Sequence, residues 1–124
     1  MEKSRIHTEK APAAIGPYSQ GIDLGSMIFT SGQIPLAPDG SVSDDISEQT
    51  RQALLNLKAV VEAGGSSLDK VIKTTVFITD MAQFSAINEV YAEFFTEPYP
   101  ARSCVQVAAL PKGVSIEIEA IALK

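Results

Sequence analysis

The run Val71-Ile72-Lys73-Thr74-Thr75-Val76-Phe77-Ile78-Thr79 constrains the fold of this chain more than any other stretch. It is β-branched or aromatic almost throughout, which reads as a strand. Its alternation places Ile72, Val76 and Ile78 on one face and Val71 and Phe77 on the other, so both faces carry apolar side chains. A segment with helical periodicity lies on either side of it. The first spans residues 46–63: Asp45 and Glu48 stand at capping-box spacing, and Ile46, Ala53, Leu54, Leu57, Val60 and Val61 form one stripe of period 3.6. Gly64-Gly65 ends it. The second is expected to be capped by Asp80, with Gln83 at the capping-box position, and Phe84, Ile87, Asn88, Tyr91, Phe94 and Phe95 share its face. Pro98 and Pro100 stop it.

The other strands follow from shorter signals. Residues 3–8 read as a short strand, and 11–21 as an extended loop rich in Pro and Gly, with Tyr18 near its end. Ile22 and Met27–Thr30 flank a hairpin turn at 23–26. Gly32 in the strand-like run that follows marks a bulge or a close backbone approach. Residues 102–109 and 114–123 read as the last two strands, separated by a turn at 110–113. The fold class is therefore α/β (α+β): a single mixed sheet with two helices on one face. Consecutive right-handed crossovers lay both helices on the same side. The other face stays apolar and bare, more than a monomer usually exposes. A second copy of the chain is expected to cover it, and a site on that face would lie between subunits.

At 124 residues the chain is expected to form one domain, residues 1–124. The net charge of −5 sets a phosphate backbone against most of the surface, so nucleic acid is not an expected partner. With one Cys, Cys104, and one His, His7, no intramolecular disulfide and no soft metal cluster can be built. No apolar run approaches a membrane span and no signal-peptide core follows the first residues. The expectation is a cytoplasmic protein that neither enters a membrane nor binds metal.

Five features stand out as chemistry. Arg102, at the start of the neutral run 102–109, is a permanent cation at the mouth of a strand read as buried. It needs an anion there, either an internal Asp or Glu or a small ligand. Asn88 interrupts an apolar helix stripe, so its amide either ties down a loop or meets a ligand. Glu117 and Glu119 share one face of the last strand, as acid/base groups, as a solvated rim or as partners of Arg102. Cys104 has no neighbouring base in sequence and reads as an inert core thiol. Ser31-Gly32 offers a hydroxyl and a backbone N–H to an anion. Together they suggest a small anionic ligand and leave the reaction open.

Four blocks carry the reading further: Ala14-Ile15-Gly16-Pro17-Tyr18, Thr30-Ser31-Gly32-Gln33-Ile34-Pro35, Pro100-Ala101-Arg102-Ser103-Cys104-Val105 and Ile116-Glu117-Ile118-Glu119-Ala120. In this order they closely resemble the RidA (YjgF) family of reactive-intermediate deaminases, over nearly the whole chain. The resemblance implies a chorismate-mutase-like fold, a barrel-like homotrimer and active sites in the clefts between subunits. It implies hydrolysis of enamines and imines such as 2-aminoacrylate, 2-iminopropanoate and 2-iminobutanoate to 2-oxo acids and ammonia, protecting pyridoxal-phosphate enzymes, with no cofactor. Carried over, Arg102 clamps the substrate carboxylate, while Glu117 and the backbone carbonyl of Cys104 position the attacking water. Tyr18, Ser31, Gly32 and Asn88 line the pocket. The chain departs from the family pattern at Ser19 and Ala109 and in its short link from Phe94-Phe95 to Arg102. The alternatives are a 2-oxo acid binding module without turnover and an RNA-cleaving protein or translation inhibitor.

Overall fold

The computed structural model describes residues 2–124. Six strands form one mixed sheet: β1 (Ser4–Ile6), β2 (Gly21–Asp23), β3 (Met27–Thr30), β4 (Val71–Ile78), β5 (Ala101–Gln106) and β6 (Ile116–Leu123). Helix α1 (Ile46–Ala63) joins β3 to β4, and α2 (Phe84–Phe94) joins β4 to β5. The sheet order is β1-β2-β3-β6-β4-β5. Only β4 and β5 pair in parallel.

The first helix begins and ends as its sequence indicates. The Asp45 side chain accepts from the Glu48 N–H at 2.9 Å, capping one of the free donors of the first turn. Its stripe Leu54, Leu57, Val60 and Val61 is fully buried against Ile28, Ile116 and Ile118 of the sheet. The second helix starts later than expected. Asp80 caps a 3₁₀ turn over Met81–Gln83, accepting from Ala82 N, and the α-helix begins at Phe84. Gln83 makes no side-chain cap.

Alternation along β6 separates the two faces of the sheet. Ile116, Ile118, Ala120 and Ala122 are buried beneath the helices, whereas Glu117, Glu119, Ile121 and Leu123 point the other way. Among the described residues no helix covers that second face. Phe29, Val105 and Leu123 are 39–47% exposed on it.

Two expectations need correction. In β4 the register shifts between Val71 and Lys73, a bulge that exchanges the faces of the first two residues. Val71 is buried with Thr74, Val76 and Ile78, and Ile72 is 41% exposed. The strand carrying Arg102 is not interior: β5 is the sheet's edge and none of its residues is buried. The reason is topological, since the last strand inserts between β3 and β4 and leaves β5 outermost. No helix among the described residues is long and apolar enough to cross a membrane.

Candidate active site

The residues singled out from sequence fall into two groups on opposite faces of the sheet. Arg102 pairs across β4 with Thr74, and Cys104 with Val76, so both lie on the helix-covered face. Glu117 pairs with Phe77 and lies on the open face. β4 lies between β5 and β6, and Glu117 stands level with Val105, three residues beyond Arg102, so the backbones of Arg102 and Glu117 are about 14 Å apart, and their side chains diverge from there.

The first group gathers at the open edge of β5. The Arg102 guanidinium donates from Nη1 to Asn88 Oδ1 at 2.7 Å. Its Cζ lies 4.9 Å from the Tyr91 ring centroid and 5.4 Å from that of Phe84. Phe84, Asn88 and Tyr91 recur at i, i+4 and i+7, which puts them on one stripe of α2 facing the strand. No carboxylate lies within ion-pair distance of Arg102 among the described residues. The internal salt bridge, and with it the pairing to Glu117 or Glu119, is therefore not formed. Asn88 is half-buried and engaged with the arginine rather than with a loop. Tyr91 is anchored from behind by a 2.7 Å hydrogen bond to Thr74 Oγ1, and burial pushes its hydroxyl pKa up. Tyr99 and Pro100 complete a cleft of about 410 Å³ around Asn88 and Arg102.

Cys104 follows Arg102 on the same face, half-buried against the core. Burial pushes its thiol pKa up and the Arg102 charge only partly opposes this, so thiolate is disfavoured. Its backbone is differently placed. Val107 N donates to Ile78 O, so by alternation the N–H and C=O groups of Arg102 and Cys104 turn away from β4 toward the open edge.

The second group lines a cleft of about 400 Å³ on the other side, where Tyr18, Gly32, Lys112 and Glu117 meet Ile15 and Ile34. Gly32 explains the carboxylate's position: a Cβ built there would lie 2.1 Å from Glu117 Oε2. Only a glycine lets the carboxyl rest against the backbone. Burial pushes the Glu117 pKa above the ordinary carboxylate range, and the charge of Glu119 pushes it the same way. Ser31 stands behind this cleft. Its hydroxyl donates to Ser19 O at 2.5 Å and its N–H to Gln20 O, tying the loop that presents Tyr18. No group of three or more His, Cys, Asp or Glu side chains among the described residues could hold a metal.

Sequence reasoning missed Phe84, Tyr91, Tyr99 and Lys112. The first two read as core, and the one available signal was the amide of Asn88 between them in the stripe. Lys112, in the turn after β5, left no periodic trace. Its φ of 58° is the one left-handed backbone of a non-glycine residue among those described.

The description "Endoribonuclease L-PSP" names the family model that matches residues 8–124. The 2-iminobutanoate/2-iminopropanoate deaminase of Salmonella typhimurium is 58% identical over 123 residues, 96% of each chain. Among solved structures, E. coli TdcF with bound serine superposes with a TM-score of 0.93 at 56% identity, covering 98% of both chains. The E. coli YjgF gene product does so with a TM-score of 0.93 at 54% identity, again over 98% of both. The sheet order and these likenesses agree, and the chain belongs to the endoribonuclease L-PSP family, in the branch that holds RidA (YjgF) and TdcF.

Proposed function

We propose that this protein is an enzyme that hydrolyses 2-iminobutanoate and 2-iminopropanoate, with their enamine tautomers, to the 2-oxo acids and ammonia. The observation that carries the reading is an arginine that no carboxylate neutralises, held by an amide and two rings with donors to spare. Such a fork binds a carboxylate in two parallel hydrogen bonds and fixes its plane. The deaminase of Salmonella typhimurium, at 58% identity, supports the reaction class.

A three- or four-carbon acid cannot touch Arg102 and Glu117 of one protomer, because the sheet lies between them. A second copy whose open face meets the β5 edge brings its Glu117 cleft to the first copy's Arg102. The exposed apolar residues of that face favour this contact. Three copies closing a barrel-like ring form three such sites.

In each site Arg102 holds the substrate carboxylate, and Asn88 holds Arg102. Tyr18 and Gly32 of the neighbouring copy wall the pocket. Glu117 takes a proton from water as the oxygen bonds to the imine carbon and the carbon–nitrogen π pair moves to nitrogen, and it hands that proton to the nitrogen to complete a carbinolamine. Glu117, ionised again, then takes the hydroxyl proton and passes it to the nitrogen as the C–N bond breaks, so the carbonyl forms and ammonia leaves. The Cys104 carbonyl at the open edge accepts a hydrogen bond from the water's other O–H and so orients it. Its thiol takes no part. A raised carboxyl pKa suits a group that accepts and then donates one proton. Imines hydrolyse unaided, so orientation plus one acid/base group of about 10²–10⁴-fold suffices. The function is the removal of reactive imines that inactivate pyridoxal-phosphate enzymes, carried out by the whole chain as one cytoplasmic domain. The net charge of −5 argues against RNA as substrate.

Subunit mixing tests both claims. Arg102→Ala and Glu117→Gln should each be inactive yet assembled. Dissociated and reassembled together, they should regain activity at about one quarter of the sites by random pairing. Absence of regained activity in mixed oligomers would reject the shared site. Normal turnover by Arg102→Ala would reject the carboxylate clamp.

A further inference from the structure

The arginine on which the proposed deamination rests is itself clamped, and the clamp has a geometry. Asn88 Oδ1 takes Nη1. Tyr91 and Phe84, one turn of helix to either side of that amide or nearly so, bring ring centroids to 4.9 Å and 5.4 Å from Cζ. Both lie within the range in which an aromatic ring attracts a cation. Tyr91 is fixed by its hydroxyl bond to Thr74, which is fully buried, and by its ring contact with Phe95 at 4.7 Å. Phe84 is only partly buried and packs at the margin of the core.

We infer that Phe84 and Tyr91 are positioning residues for substrate binding: they hold the Arg102 guanidinium in one orientation, so that with Nη1 committed to Asn88 the remaining donors face the ligand together. Four rotatable bonds separate a guanidinium from its backbone, and a free arginine loses their rotamer entropy when a ligand orders it. Ring faces and the amide meet that cost on folding, before any ligand arrives. The ligand such a device suits is planar and bidentate, a carboxylate, rather than a single point charge. Lysine at position 102 could not use it, because an ammonium has no plane to align.

Losing this preorganisation weakens the ground state and the transition state alike, since the carboxylate is bound in both. It raises KM and leaves kcat nearly unchanged. Phe84 is the better probe, because Tyr91 also serves the core. Phe84→Leu keeps an apolar side chain and removes the ring face, and Phe84→Tyr keeps the ring. With 2-iminobutanoate generated in situ, the leucine variant should raise KM about 3- to 30-fold with kcat within about 3-fold. The tyrosine variant should restore the wild-type KM. A merely structural role would lower the yield of folded protein and leave KM alone. A second readout needs no turnover. The Nη1 and Nη2 signals of Arg102 in ¹⁵N NMR should be distinct in the wild type and in Phe84→Tyr, and merged by rotation about the Nε–Cζ bond in Phe84→Leu. Unchanged KM, or an unchanged Arg102 signal in Phe84→Leu, would overturn the inference. If the wild type itself turned over no imine, the proposed function would fall while the NMR signal still decided the clamp.

Discussion

Gly32→Ala isolates the position of one carboxylate. The added Cβ would stand 2.1 Å from Glu117 Oε2, 2.7 Å from Cδ and 2.9 Å from Cγ. An ordinary contact begins near 3.4 Å, so the carboxyl oxygen has to retreat by about 1.3 Å. The atoms that must move belong to the end of a half-buried, flexible side chain, so the fold absorbs the change cheaply. Alanine also narrows the unfolded ensemble by about 0.4–1 kcal/mol, and the net effect on stability stays within about 1 kcal/mol. Catalysis is less tolerant, because a misplacement of about 1 Å in a reacting group costs on the order of 10²-fold, or about 2.7 kcal/mol of barrier. Release of 2-oxobutanoate from imine formed in situ, with urea unfolding alongside, measures both quantities. Since the added methyl acts chiefly by displacing Glu117, Gly32→Ala should add little to the loss caused by Glu117→Gln. A folded, assembled Gly32→Ala with kcat/KM within about 3-fold of wild type would refute the reasoning that the glycine places the acid/base group.

Three further predictions rest on side chains outside the arginine clamp. Burial and, to a smaller degree, Glu119 raise the Glu117 pKa, so the acid limb of kcat/KM should lie above the ordinary glutamate range. Glu119→Gln removes the smaller cause and should move that limb to lower pH without abolishing it. The same shift fixes a stability sign. Whatever the raised carboxyl adds to folding is present below its unfolded pKa and lost as pH rises through the folded one, so Glu117→Gln should raise Tm more at pH 7 than at pH 4. An equal change at both pH values would contradict it. Asn56, 3% exposed on α1, donates to the carbonyls of Ile34 and Leu36 and accepts from Gln52. Asn56→Ala leaves the Leu36 carbonyl without its donor, while Ile34 O keeps the Leu36 N–H, and should cost about 2 kcal/mol in urea unfolding with the m-value unchanged.

Local rules made much of this fold readable in the chain. The helix over residues 46–63 was legible because capping, period and terminal glycines agree on it, and the hairpin because its turn is short. The two helices on one face followed from consecutive crossovers. Arg102, Asn88 and Glu117 drew attention because each is polar within an apolar pattern, and burial of such groups demands a partner. Only the tertiary structure decided which face each occupies. The insertion of β6 between β3 and β4 pairs residues far apart in sequence, and no local preference encodes it. That insertion makes β5 an edge, opens the Cys104 carbonyl to the outside and sets Arg102 and Glu117 on opposite sides of β4. The bulge that turns Ile72 outward, and the aromatic pair that looked like core until Arg102 lay against it, have the same origin. They depend on what packs opposite a residue, whereas sequence periodicity records only which residues share a side.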